Sequence, residues 1–343
     1  MLPKHIHKVT WKSGTAAYYW QKNRGTTKAG PRVRLPDDPN SAAFWAAIKA
    51  QEAGTVEDGG MAKMIDAYRA SPHYKGLAHN TRREYDRHMA ALRKAIGRFE
   101  PDAVKPKDVA EFRDALGATP AKANAYVRSI AALYLWGRER GFANANPAEG
   151  ISKLKIGEYQ PWPAWAWETA MAHFRAEIRD ACLLGRFTGQ RLGDVLALKI
   201  TDISADEDGV TGFNLTQQKT GKALFVPIGA ELRPVIAAAK RRGSISYIVS
   251  RLDGSPFTVD QFHAMWGREM KRIADLAKIR EAGLSFHGLR KSLVVNAAHQ
   301  GLTGSQIGAL TGQTLPTVQH YSRGASQKRL AKEAMKKLEG RGE

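Results

Sequence analysis

Several residues in the C-terminal half are of the types that handle phosphate. His287 and Arg290 stand three apart in Ser285-Phe286-His287-Gly288-Leu289-Arg290, so on a helix their side chains share a face, while Leu289, Leu293 and Ala297 mark a separate apolar stripe. The expected picture is a polar pair held out on a packed support. Tyr321 follows in Gln319-His320-Tyr321 and is the only tyrosine beyond Tyr247, so covalent chemistry through a phenol has one candidate in this region. Further upstream, Arg191 in Thr188-Gly189-Gln190-Arg191 opens a helix whose Leu192, Val195, Leu196 and Leu198 can supply a buried side. Its planar guanidinium can bind two oxygens of one phosphate, as a lysine cannot, and Asp194 one turn on can orient it. Taken singly, each feature also has an ordinary reading: a surface Arg–Asp pair, a satisfied structural histidine, a packed tyrosine.

The order of these features carries more than any one of them. Thr188-Gly189-Gln190-Arg191, then Lys219 in Gln218-Lys219-Thr220-Gly221-Lys222, then His287-x-x-Arg290, then Gly312-Gln313 and a lone Tyr321 resembles the tyrosine recombinases, the phage-type integrases that cut and rejoin DNA. By motif the resemblance spans about residues 160–335, and in general character residues 60–155. It implies a catalytic set of Arg191, Lys219, His287, Arg290, Gln313 and Tyr321, supported by Asp194. Tyr321 would attack phosphorus to give a 3′-phosphotyrosyl intermediate that conserves the bond energy. The two arginines would neutralise the non-bridging oxygens, and His287 would assist proton transfer. Lys219, with Lys222 as its close competitor, would protonate the leaving 5′ oxygen. No metal or other cofactor is required. The chain departs from the family pattern at Asp194, where glutamate is commoner, and at Gln313, where histidine or tryptophan is usual. The interval from Gln313 to Tyr321 is eight residues, one shorter than expected. Glutamine still donates a hydrogen bond to a phosphate oxygen, so Gln313 stays in the set, with His320 behind it. A type IB topoisomerase-like enzyme and a catalytically silent DNA-binding relative are the alternatives.

Composition agrees with a polyanionic partner. Lys and Arg number 53 against 33 Asp and Glu, for a net charge of +20 and a pI near 10.0. The excess is +4, +7 and +9 over residues 1–60, 61–160 and 161–343, a spread that suits a chain enclosing double-stranded DNA better than a neutral body with one basic tail. Cys182 is the only cysteine, which excludes a disulfide framework and a thiolate metal cluster and points to a reducing compartment. The N-terminus lacks a signal-peptide core, and no apolar run has the length of a membrane span, so a cytoplasmic, DNA-associated protein is expected. By resemblance it acts as a homotetramer on DNA, with room for an accessory DNA-bending protein.

The supporting elements read as mainly α with a small β-sheet: a small N-terminal β-rich module, a helical core-binding domain and a mixed α/β catalytic domain. The expected divisions are 1–55, 60–150 and 163–343. Short strands at Lys8–Trp11, Ala17–Gln21 and Arg32–Leu35 precede a helix from about Ala42, capped from Pro36–Ser41. The module's cations, Lys12, Lys22, Arg24, Lys28, Arg32 and Arg34, resemble those of arm-type DNA-binding modules. His5 and His7 are expected to fray. Helices follow at Met61–Ala70, Thr81–Ile96 with a Thr81/Glu84 capping box, Pro106–Leu116 and Pro120–Arg140. Arg82, Arg83, Arg87, Lys122 and Arg128 on two of them are candidate phosphate contacts. Asn144–Ala164, with three prolines, reads as an interdomain linker. In the catalytic domain, strands are expected at Ile200–Ile203, Val210–Gln217 and Ala223–Ile228, with Lys219 and Lys222 at a hairpin tip. One basic helix should cover 258–279 and another Ser326–Leu338, the latter with Leu330, Ala331, Ala334 and Leu338 as an apolar side.

Overall fold

The computed structural model describes residues 2–11, 14–27, 29–54, 59–242 and 247–339. Lys12 and Lys28 therefore lie outside the described residues, as does the middle of the polar stretch Glu52–Gly60. The chain forms two compact units, Met1–Ile156 and Gly157–Glu343, where a three-way division was expected. No helix among the described residues is long and apolar enough to cross a membrane.

The first unit opens with an antiparallel sheet of β1 (Ile6–Thr10), β2 (Ala16–Trp20) and β3 (Val33–Arg34), in that order. Alternation in β2 buries Trp20 and Tyr18 beneath α1 (Ala42–Gly54), where Phe44 and Ile48 complete a small separate core. Ser41 caps α1 by accepting the Phe44 amide at 3.2 Å. His7 is not frayed: it sits in β1 with its ring stacked on Tyr19 at 5.7 Å. The helical part comprises α2 (Gly60–Ala70), α3 (Pro72–Lys75), α4 (His79–Ile96), α5 (Pro106–Ala115) and α6 (Pro120–Arg138). They bury Met61, Met64, Tyr68, Met89, Leu133 and Tyr134 in one core. Pro106 and Pro120 begin their helices as their missing N–H allows. Thr81 does not begin α4, whose N-cap is Ala78, so the Thr81/Glu84 pair lies a turn inside the helix.

The second unit begins with α7 (Ala164–His173), α8 (Ala176–Thr188) and α9 (Leu192–Ala197). An antiparallel sheet follows, β4 (Ile203–Ala205), β5 (Thr211–Thr216) and β6 (Ala223–Pro227), paired in sequence order. Ile200–Asp202 is a 3₁₀ turn rather than strand, because Asp202 accepts the Lys199 amide at 2.8 Å and curls the chain. Next come α10 (Arg233–Arg241), α11 (Val259–Glu269) and α12 (Ala274–Glu281). The single helix expected over 258–279 breaks between α11 and α12, where the Arg272 guanidinium turns back to Glu269 and the His173 carbonyl. Last are α13 (Phe286–His299), α14 (Gly304–Thr311) and α15 (Leu315–Leu338). Leu289 on α13 belongs to the main core with Phe213, Phe262 and Ile178. Val294, Ala297, Ile307, Val318 and Ala325 form a second cluster that clamps α15 onto α13 and α14.

The stretch read as a linker is tied down at both ends. Leu154 exchanges two hydrogen bonds with the Asn124 side chain of α6, at 2.8 and 2.9 Å. Trp162 donates its amide to Ser292 at 2.8 Å and its indole N–H to the Ser285 carbonyl at 2.9 Å, strapping 157–162 along α13. Gly288 is required by that strap: a Cβ there would lie 2.4 Å from the Gln160 carbonyl oxygen.

Candidate active site

His287 and Arg290 lie in the first turn and a half of α13, and Tyr321 lies within the first two turns of α15. The clustering of α13 against α15 brings them together: His287 Nε2 is 3.3 Å from the Tyr321 hydroxyl. Arg290 is not held out toward solvent as expected. It is 2% exposed, because α8 and the turn after it close over it; its Nη1 donates to the Gly189 carbonyl. Its Nη2 is buried and has no hydrogen-bond partner among the described residues, a donor without an acceptor. Burial, and then the neighbouring Arg191, lower its pKa to about 10, while Asp194 and Tyr321 act in the opposite sense.

Arg191 follows the left-handed Gly189 that ends α8 and is the N-cap of α9. Its Nη1 donates to Gln217 Oε1 at 3.3 Å and lies 3.8 Å from Asp194 Oδ2. Asp194 spends its other oxygen on the Gln218 amide at 2.8 Å, so one carboxylate ties α9 to the β5–β6 hairpin. Lys219 and Lys222 are both exposed on the loop joining Thr216 to Ala223. Lys219 is close enough to act on His287, whose pKa is lowered by burial first, then by the charges of Arg290, Arg191 and Lys219. Gln313 follows Gly312, the left-handed C-cap of α14, and is largely buried. Its Oε1 accepts from Thr311 Oγ1 at 3.2 Å, and its side-chain N–H groups have no partner among the described residues. His320 turns away from the cluster, half exposed, toward Glu158 at 3.3 Å.

Arg191, Asp194, Lys219, His287, Arg290, Gln313 and Tyr321 thus converge within the second unit. Arg82, Arg83, Arg87, Lys122 and Arg128 lie on α4 and α6 of the first. Arg87, Arg128 and Lys122 share the neighbourhood of His88, whose pKa is lowered chiefly by burial and also by their charges. Arg128 also pairs with Glu84 at 3.5 Å, and Arg82 donates to the Lys75 carbonyl at 3.3 Å.

Four further side chains at the site carry no sequence signal. Lys291 is buried beside Arg290, with its ammonium 2.9 Å from Glu158 Oε2 and 5.4 Å from the Tyr321 ring centroid. That bond holds the exposed Glu158 carboxyl below the ordinary range. Tyr159 lays its ring against His287, centroids 4.6 Å apart. Gln217, wholly enclosed, links Arg191 to its surroundings.

In chemical terms the site gathers Arg191, Lys219, Arg290 and His287 around the Tyr321 phenol, with Asp194 as their carboxylate and the Lys291–Glu158 pair beside them. A donor set so short of negative charge is built to receive an anion with several oxygens.

Comparison with known proteins accords with this geometry. A crystal structure of lambda integrase residues 75–356, as a dimer bound to a core site, superposes with a TM-score of 0.61 at 18% identity, covering 76% of this chain and 94% of that one. The Tn1549 transposon integrase, residues 82–397, in complex with transposon right-end DNA, gives 0.60 at 16% identity, covering 79% and 99%. A lambda integrase tetramer on a Holliday junction gives 0.59 at 18% identity, covering 91% and 96%. At such identities the likeness shows the fold. No curated protein matches by sequence. Residues 167–328, which hold the whole convergent set, match the phage integrase family, and this part of the chain is of that family.

Proposed function

We propose that the protein is a site-specific DNA recombinase in which Tyr321 is the nucleophile. The observation that carries this reading is the Tyr321 hydroxyl 3.3 Å from His287, beside a buried arginine that has an unused donor. The Tyr321 oxygen attacks the phosphorus of one phosphodiester, the bond from phosphorus to the 5′ oxygen breaks, and the 3′ side stays joined to the protein. One phosphodiester replaces another, so rejoining by the freed 5′ hydroxyl needs no external energy. Arg191 and the free Nη2 of Arg290 take the non-bridging oxygens and offset the charge that grows in the transition state. Neutral His287 accepts the phenolic proton, and Lys219 donates one to the leaving oxygen. Gln313 offers a side-chain N–H to the same phosphate. Arg82, Arg83, Arg87, Lys122 and Arg128 are assigned to the DNA backbone. Assembly as a homotetramer is supported by the far end of α15, where Leu330, Met335 and Leu338 are exposed and available to a second copy.

The test is covalent trapping on nicked duplexes. Wild-type protein is expected to leave an adduct that survives denaturant, and Tyr321→Phe to leave none while binding DNA within about twofold of wild type. Loss of binding together with the adduct would make Tyr321 structural.

A further inference from the structure

Gln217 is fully enclosed, and its side chain touches three separate segments of the site. An amide has two N–H donors and an oxygen with two lone pairs, and here all four are used. Nε2 donates to Gln190 Oε1 at 2.6 Å and to the Thr311 carbonyl at 2.9 Å. Oε1 accepts from Arg191 Nη1 at 3.3 Å and from Thr220 Oγ1 at 2.9 Å. Its main chain closes the Lys219 loop as well: its amide donates to the Lys222 carbonyl at 2.9 Å, and its carbonyl accepts the Gly221 amide at 2.8 Å. Gly312 packs so near that a Cβ there would lie 2.6 Å from Gln217 Nε2.

Burying an amide costs free energy that its hydrogen bonds only recover, so an apolar side chain of the same size would serve a core equally well. What the amide adds is geometry. We propose that Gln217 is a positioning residue for strand cleavage: it sets Arg191, the Lys219 loop and the turn leading to Gln313 in register around the phosphate. Gln190 extends the arrangement, bonding through its own amide to the Thr188 and Leu310 carbonyls at 3.1 and 3.3 Å. A change at Gln217 then acts on the reaction through Arg191, whose task is to neutralise a non-bridging oxygen.

This inference rests on the reading of Tyr321 as nucleophile, and the experiment separates the two. On a nicked duplex that gives the Tyr321 adduct with wild-type protein, Gln217→Met is expected to slow adduct formation at least about tenfold, with DNA affinity within about twofold and an unchanged circular dichroism spectrum. The same duplex is then made with a methylphosphonate at the cleaved position, which removes the non-bridging charge. There the deficit of Gln217→Met is expected to shrink severalfold, because less charge awaits Arg191. Gln217→Glu, which keeps the shape but sets oxygen against the Gln190 and Thr311 oxygens, is expected to behave in the same way and serves if the methionine variant does not fold. Wild-type rates in both variants, or equal slowing on the two substrates, would reduce Gln217 to a structural residue. Absence of any Tyr321-dependent adduct with wild-type protein would instead overturn the underlying mechanism.

Discussion

The surroundings of His287 disfavour its charged form. Burial and three cationic neighbours lower its pKa from the ordinary 6.5, so the neutral ring that can take the Tyr321 proton persists through neutral pH. The sign for stability follows: on acidification the unfolded chain takes up this proton first. The contribution of His287 is therefore complete above about 6.5 and is lost as pH falls from there toward the folded value. Single-turnover adduct formation is expected to hold level from about pH 8 to 6.5 with respect to this group and to decline below it. In His287→Asn that acid limb should vanish along with most of the rate; an unchanged limb would assign it elsewhere. At this scale Tyr321 was legible because it stands alone in the last part of the chain. The burial of Arg290 was not, since a three-residue spacing fixes a shared helix face but not what closes over it. Gln217 was invisible for a related reason: its partners lie 27 and 94 residues away in sequence.

Helix ends do much of the positioning. Gly312 ends α14 at a φ of +70°, and Gln313 is aimed by that turn. An alanine there combines a strained backbone with a Cβ 2.6 Å from Gln217 Nε2 and 2.7 Å from Leu224 Cδ1. Gly312→Ala is expected to cost about 1–3 kcal/mol in urea unfolding and to slow cleavage as well, because relief of the clash displaces Gln217. A stable protein with wild-type cleavage would show that the turn has slack. The chain announces some of these ends. Pro106 and Pro120 mark theirs because a ring without an N–H costs nothing in a first turn. The break between α11 and α12 has neither proline nor glycine in Met270–Ile273 and depends on Arg272 finding Glu269 and His173 in the folded state. Thr81 and Glu84 have capping-box spacing, yet α4 starts earlier, which leaves the motif inside a turn.

Both units carry excess positive charge: 27 basic against 15 acidic residues in 1–156, and 26 against 18 in 157–343. Binding that draws on both is expected to weaken by about 10³ or more between 50 and 200 mM salt, as for proteins that make roughly six to ten phosphate contacts. Fluorescence anisotropy with a labelled duplex checks this, and a nearly flat response would show that one unit alone grips DNA. The mainly α architecture was legible at this scale because each helix of the first unit carries its own apolar period. The boundary between the two units, at Ile156/Gly157, falls inside the proline-broken stretch 144–164 read as a linker, whereas the paired hydrogen bonds that tie that stretch down at Leu154 and Trp162 carry no sequence signal.

Tyr321 and the exposed tail share one continuous helix, where a separate helix after the nucleophile had been expected. Leu338 is 17 residues beyond Tyr321, about 26 Å along the axis. Among the described residues, the core holds α15 as far as Ala325. Val318 and Ala325 hold the turns on either side of Tyr321, so the phenol sits in the packed part of a helix whose exposed far end continues along the same axis.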